Sequence, residues 1–271
     1  MKRRDDIEAR DKRVRVVVIG SGNVAESLAR NLARNGCVDL CQIYARNGER
    51  GRELADMTGT VWTDKRAELA AAEIYIIAVS DRSIGDVAAS LPFAEDAVVV
   101  HTAGSVPLSV LPERGGRRGI LYAFQSFSRG RDIRLDEVPI FIEAERDDVR
   151  DQLTDFARCI TSRVEYADSE RRRVIHLAGV VVNNFVNALY GEAMDIVSEA
   201  GLDFEILKPL IMETAAKAVA SHNPRSVQTG PAVRNDREVC GKHIEMLRHK
   251  PQLQRIYNEL TELIWETSKR I

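Results

Sequence analysis

Apolar positions along the chain change their period near residue 168. Before that point, short runs of aliphatic and β-branched residues alternate with stretches in which apolar positions recur every three or four residues. Residues 14–19 form a nearly continuous β-branched run, the pattern of a parallel strand covered on both faces. Val24, Leu28 and Leu32 then recur at helical spacing, and Gly36 offers a stop. Residues 38–44, 73–79, 97–100, 120–123, 138–143 and 164–166 read as further strands, with a helix over 152–159. Strands alternating with helices predict an α/β fold of the Rossmann type, with a doubly wound, mostly parallel sheet.

From residue 168 the pattern is helical only. Asp168 or Ser169 caps a helix running to about Ala200, with Gly201 as its stop, which makes it roughly 48 Å long. Its middle, HLAGVVVNNFVNALYGEAM, is apolar nearly all round and is expected to be buried on most sides, against the other domain or a partner subunit. His176, Asn183 and Asn187 fall on one helical face with Asn184 beside them; such amides either bond neighbouring helices or face a ligand. Pro209 starts or kinks the next helix, and residues 221–234 are rich in turn formers. Asn235 with Glu238 resembles a capping box opening a helix to about His249, and Pro251 precedes a last helix through Lys269. Thr229, Arg234 and Asp236 are either substrate contacts or a structural corner. The predicted organisation is a charged tail over 1–13, a Rossmann domain over 14–167 and an all-α domain built around one long helix over 168–271.

Charge and composition narrow the function classes. The formal net charge of −2 gives no global field for nucleic acid or an anionic membrane. The longest apolar run, residues 177–182, is far short of the roughly 20 residues of a bilayer span, so no membrane partner is expected. The first thirteen residues mix six basic with four acidic side chains and lack the apolar core of a signal peptide. Four cysteines without a CxxC pair read as free thiols of a reducing cytoplasm. The histidines show no metal-ligand spacing, and no metal is expected.

The chemistry begins at Gly20-Ser21-Gly22-Asn23-Val24-Ala25, set between a strand and a helix. The first glycine permits a tight turn, the second admits a pyrophosphate close to the backbone, and the small Ala25 allows close helix–strand packing. The helix N-terminus then offers free N–H groups and a positive dipole end. An NAD site places a carboxylate near the end of the second strand; here Arg46 and Asn47 occupy that region. A guanidinium matches a ribose 2′-phosphate, so NADP(H) is favoured over NAD(H). Ligands in open α/β sheets lie beyond the carboxyl ends of the strands. Val79-Ser80-Asp81 and His101-Thr102-Ala103-Gly104-Ser105 are therefore placed toward the nicotinamide. Gln125, Ser126 and Phe127 join Gly104, Ser105 and Asn183 as candidate substrate contacts.

IGSGNVA at 19–25, HTAGS at 101–105, FQSFS at 124–128, HLAGVVVNN at 176–184 and TGPAVRND at 229–236 together carry a family likeness. The chain resembles the 6-phosphogluconate dehydrogenase-like and pyrroline-5-carboxylate reductase-like superfamily. It is most similar to the bacterial NADP oxidoreductases that join a Rossmann-like domain to a C-terminal helical domain of unknown function. The resemblance implies hydride transfer between NADP(H) and a small C=O or C=N substrate in an interdomain cleft, and a homodimer through the C-terminal helices. In the β-hydroxyacid dehydrogenase branch the long helix carries a general acid/base lysine four residues before an asparagine. Matching its Asn-Asn pair to Asn183-Asn184 puts that position at Val180, which cannot transfer a proton. His101, His176 and Asn184 are then the candidate catalytic residues. The competing reading is an NADP(H)-binding sensor or interaction protein without catalysis.

Overall fold

In the computed structural model, residues 13–114 and 117–269 are described; the expected N-terminal tail lies almost wholly outside them. The chain divides into two compact units, Met1–Asn183 and Asn184–Ile271. The division falls inside the long helix rather than ahead of it at residue 168.

The first unit is an eight-stranded sheet. In chain order its elements are β1 (Val14–Ile19), α1 (Asn23–Ala33), β2 (Val38–Tyr44), α2 (Gly48–Thr58), β3 (Val61–Thr63), β4 (Ile74–Ile77), α3 (Ile84–Ser90), β5 (Val98–His101), β6 (Arg118–Ala123), β7 (Ile140–Ala144), α4 (Asp147–Ile160) and β8 (Val164–Tyr166). The strand order is β3-β2-β1-β4-β5-β6-β7-β8. All neighbours are parallel except β6 and β7, which pair antiparallel. The order reverses at β1 and β4, the switch point at which such sheets bind ligands.

The unbroken apolar run of β1 is explained by the two layers it separates. Val16 and Val18 face a core filled by Leu28, Leu32, Leu54, Leu153 and Phe156 from α1, α2 and α4. Val17 and Ile19 face a second core holding Tyr75, Ile77, Ile84, Ala88 and Phe93. The sequence pattern misses β3, a sheet-edge strand in which Val61 is exposed and only Thr63 is buried, so no apolar run marks it. It also starts α4 late, because the first turn, Asp-Asp-Val-Arg, is polar on its outer side and buries only Val149.

The long helix, α5 (Ser169–Glu199), is present as expected. Asp168 caps it, its carboxylate accepting from the Arg171 N–H at 2.8 Å. One expectation about it fails. A π turn over Val180–Phe185 interrupts the helix. It adds about one residue's rotation, roughly 100°, so His176 and Asn187 do not share one straight face. After Arg172 none of the helix's residues is buried in the single chain, so the expected cover by a partner subunit stays a proposal. By length and composition α5 could cross a membrane, although no uninterrupted apolar run in the sequence is long enough. Asn183, Asn184 and Asn187 would be costly in hydrocarbon.

The second unit continues with α6 (Lys208–Ala220), α7 (Arg237–Met246) and α8 (Pro251–Ser268). Pro209 sits in the first turn of α6, where its missing N–H costs nothing. The cap of α7 is Asp236, accepting from the Val239 N–H at 3.1 Å, one residue later than the capping-box reading. Asn235 instead adopts a left-handed turn with φ 52°, a conformation asparagine tolerates.

Candidate functional site

The glycine loop has the geometry its sequence implies. Gly20 has φ 126°, and a Cβ there would lie 2.2 Å from the Ala78 carbonyl oxygen, so no side chain fits. Above Gly22 there is open space, as close approach of a ligand requires. Gly22 is the N-cap of α1 and supplies no side-chain cap, which leaves the first N–H groups of the helix to a ligand. Ala25 is fully buried against the sheet, while Ser21 and Val24 are half-buried at the loop. Asn23 is partly engaged: its amide donates to the Phe127 carbonyl at 3.2 Å, tying the 124–130 loop to the start of α1. Glu26, one turn on, anchors the same loop by accepting from the Gly130 N–H. Burial opposes the Glu26 charge, but hydrogen bonds from Arg50, Arg30 and Gly130 outweigh it and hold the carboxyl below its usual range.

A cavity of about 400 Å³ opens beside this loop, between the ends of β1, β2 and β4. Ile19, Tyr44, Val79, Val87 and Leu91 give it apolar walls, and Arg46 and Arg66 line it with cations. Arg46 is exposed just past β2, and its side chain has no partner among the described residues. Asn47 caps α2, its side-chain oxygen accepting from the Arg50 N–H at 3.1 Å; its amide N–H groups stay free to donate. A glycine turn, an uncapped helix start, an apolar slot and a free guanidinium in sequence fit the pyrophosphate, adenine and ribose phosphate of a dinucleotide.

Beyond β4 and β5 the structure brings Asp81 and Ser105 together: the Ser105 hydroxyl donates to the Asp81 carboxylate at 2.7 Å. Ser80 and Thr102 lie at the same strand ends, exposed and half-buried. His101 is fully buried, and its Nδ1 accepts from the Ala103 N–H at 3.2 Å. Burial, helped by the charge of Arg172, pulls its pKa down to about 4. At neutral pH it is therefore an uncharged imidazole shaping the 101–105 turn, out of reach of a substrate. Arg172 is also fully buried, although it stands in a run of three arginines near the start of α5. It ion-pairs with Glu143 and donates to the carbonyls of Ala103 and Val106. Ser169 donates to the same carboxylate at 3.0 Å. This cluster fixes the turn that presents Gly104 and Ser105.

Directly over that turn lies a pair that the sequence supplied only in half. The Tyr122 hydroxyl is 3.2 Å from Nδ1 of His176. A Cβ on Gly104 would lie 2.6 Å from that Nδ1 and 2.7 Å from the Tyr122 ring, so glycine is what lets the pair sit against the strand end. Burial pushes the Tyr122 hydroxyl up from its ordinary pKa, which keeps it a neutral hydrogen-bonding group. Phe124 packs edge-on to Tyr122, and Gln125, Ser126 and Phe127 follow on the exposed loop. The signal for Tyr122 was available: it is the polar aromatic residue near the carboxyl end of β6, where the strand-end rule looks for chemistry.

Two family models match the chain. One, described as NADP oxidoreductase coenzyme F420-dependent, matches residues 15–104. The other, a domain of unknown function, DUF2520, matches residues 138–264. A Bacteroides fragilis protein provisionally named an NADP oxidoreductase is 36% identical, with a TM-score of 0.84 over 94% of this chain and 98% of its own. The chain belongs to this family of NADP oxidoreductases. A Thermotoga maritima protein is 23% identical, with a TM-score of 0.72 over 94% of this chain and 98% of its own. A Plasmodium falciparum pyrroline carboxylate reductase with NADP bound shares the fold at 13% identity, with a TM-score of 0.60 over 95% and 97%. A search of curated proteins finds no match.

For this NADP oxidoreductase family member, the remaining candidates separate along α5. His176 is half-buried in the sheet unit, Asn183 is exposed at that unit's end, and Asn184 is exposed at the start of the helical unit. Val180 opens the π turn. Such turns re-aim side chains and recur at functional sites. Among the described residues, no three His, Cys, Asp or Glu side chains cluster to hold a metal.

Proposed function

We propose that this protein binds NADP(H) and acts as an oxidoreductase on a small C=O or C=N substrate, with Tyr122 and His176 as its proton-handling pair. The observation that carries the catalytic reading is that hydrogen-bonded pair, held over Gly104 at the end of β5. The nicotinamide supplies the hydride chemistry when bound. The chain's own residues do the rest. Gly20, Gly22 and the start of α1 hold the pyrophosphate, and Arg46 with Asn47 holds the 2′-phosphate. Tyr122 fixes the tautomer and orientation of His176, whose Nε2 then gives or takes the substrate proton. Asp81 and Ser105 orient the carboxamide side of the pocket. The histidine thus stands in for the lysine that Val180 cannot supply. The exposed apolar residues of α5 and α6 belong, in this reading, against a second copy of the chain.

The experiment is a fluorescence titration with NADPH beside NADH at fixed salt, for wild type and Arg46→Ala. A substrate screen with the preferred nucleotide then compares wild type with Tyr122→Phe and His176→Ala. The reading expects a preference for NADPH that Arg46→Ala removes. It further expects turnover that falls about 10²-fold or more in His176→Ala. Tight NADPH binding with the same turnover in all three proteins would reject the catalytic pair.

A further inference from the structure

We infer that Arg66 is a second specificity-determining cation for the adenosine 2′-phosphate, acting with Arg46; this rests on the NADP(H) reading above. The two arginines follow neighbouring parallel strands. β2 and β3 are in register at Tyr44 and Thr63, and Arg46 and Arg66 stand on the turns just after those residues, lining one cavity.

Arg66 is left free by its surroundings. Its own turn carries Glu68, but one carboxylate oxygen of Glu68 takes the Lys65 ammonium at 2.8 Å and the other takes the Thr63 hydroxyl at 2.7 Å. The Arg66 side chain has no partner among the described residues. The turn is nonetheless firmly anchored. Gln42, buried in β2, donates to the Glu68 carbonyl and accepts from the Ala70 N–H, each at 2.9 Å. A buried amide spending both its groups on one short turn fixes where Arg66 leaves the backbone. Two guanidiniums on the rim of one apolar slot repel each other and are relieved by an anion of two negative charges. Among the described residues Asp86 is the one carboxylate lining the same cavity, and no ion pair joins it to either arginine. It suits the exocyclic amine of adenine, leaving the phosphate to the cations.

The test is isothermal titration of the full chain with 2′,5′-ADP and with 5′-AMP, which lacks the 2′-phosphate. The variants are Arg66→Gln, Arg66→Lys and Arg46→Gln. Loss of one charge-assisted contact is expected to weaken 2′,5′-ADP about ten-fold in Arg66→Gln. Binding of 5′-AMP should stay within about two-fold, and Arg66→Lys should recover part of the loss. Unchanged 2′,5′-ADP binding in Arg66→Gln, with a loss in Arg46→Gln, overturns the role of Arg66 and leaves the NADP(H) reading standing. Equal weakening of both nucleotides makes Arg66 structural and also overturns it. A wild type that binds 2′,5′-ADP no better than 5′-AMP rejects the NADP(H) reading itself, and this inference with it.

Discussion

In the sheet unit Val16, Val17, Val18, Ile74, Ile76 and Val100 have no exposed surface; in the helical unit Val219 is 88% exposed, Met212 69% and Leu210 64%. From Asn184 onward, among the described residues, only Ala232, Cys240, Leu247 and Leu253 are buried apolar residues. The sheet unit closes two cores of its own, one on each face. The helical unit has comparable apolar residues and, in a single chain, nothing to cover them. Exposed apolar area on this scale is the ground for the second copy proposed above. The contrast teaches that the glycine loop and the Tyr122–His176 pair sit on the half that closes its own cores, while the other half carries its apolar residues on its surface.

The most direct way to break that comparison is to weigh the protein. If α5 and α6 pack against a second copy, light scattering at micromolar concentration returns twice the chain mass. Leu210→Glu combined with Val219→Glu should return it to one chain mass or to aggregates. A wild-type monomer would mean that the exposed helices have some other cover.

Next in size is the buried ion pair that ties α5 to the sheet. Arg172→Ala removes the ion-pair partner of Glu143, which keeps only the Ser169 hydroxyl, and takes the same donor from two carbonyls inside the fold. It should lower the urea stability of the sheet unit by about 3–5 kcal/mol. The double change Arg172→Met with Glu143→Leu should recover most of the loss, because a well-packed apolar pair needs no desolvated charges. A loss below about 1 kcal/mol in the single variant would show that the cluster does not hold the 101–105 turn.

A smaller effect, about 3 kcal/mol, is expected from acid. His101 has a folded pKa of about 4 against about 6.5 unfolded. The unfolded chain therefore binds the extra proton between those values, and stability falls as pH drops from about 6.5 to about 4. His101→Asn, which keeps an acceptor for the Ala103 N–H, should flatten that slope in denaturation curves. An unchanged slope would move the acid sensitivity to another group.

These sites show what the sequence carries and what it hides. The glycine loop was legible because strand, Gly20, Gly22 and helix are contiguous, so local spacing states the geometry. The sheet was legible for the same reason in every strand but β3, the three-residue β8 included. His176 was visible as a histidine, but its partner Tyr122 lies 54 positions away and meets it only through the fold. Arg172 sits in a run of three arginines that reads as a solvated helix start; that one of them faces Glu143 depends on how α5 crosses the sheet. Arg66 is equally silent, because its meaning comes from the register of β2 against β3. The π turn has no marker in the VVVNNF pattern, and it displaced the polar stripe that a regular helix would have made.

The smallest effect separates the two units most finely, because it uses the same chemistry in each. Asn47 and Asp168 cap helices in the sheet unit, and Asp236 caps α7 in the helical unit, each accepting one backbone N–H. Each change to alanine should cost about 1 kcal/mol. In the sheet unit the cost should be independent of protein concentration, since that core is complete within one chain. If the helical unit folds only together with a second copy, its stability depends on concentration. The Asp236→Ala midpoint should then lie below wild type by a similar amount at each concentration while both rise as protein is added. If the Asp236→Ala and wild-type transitions do not move with concentration, the helical unit holds itself together alone, and the contrast between the units is one of surface composition only.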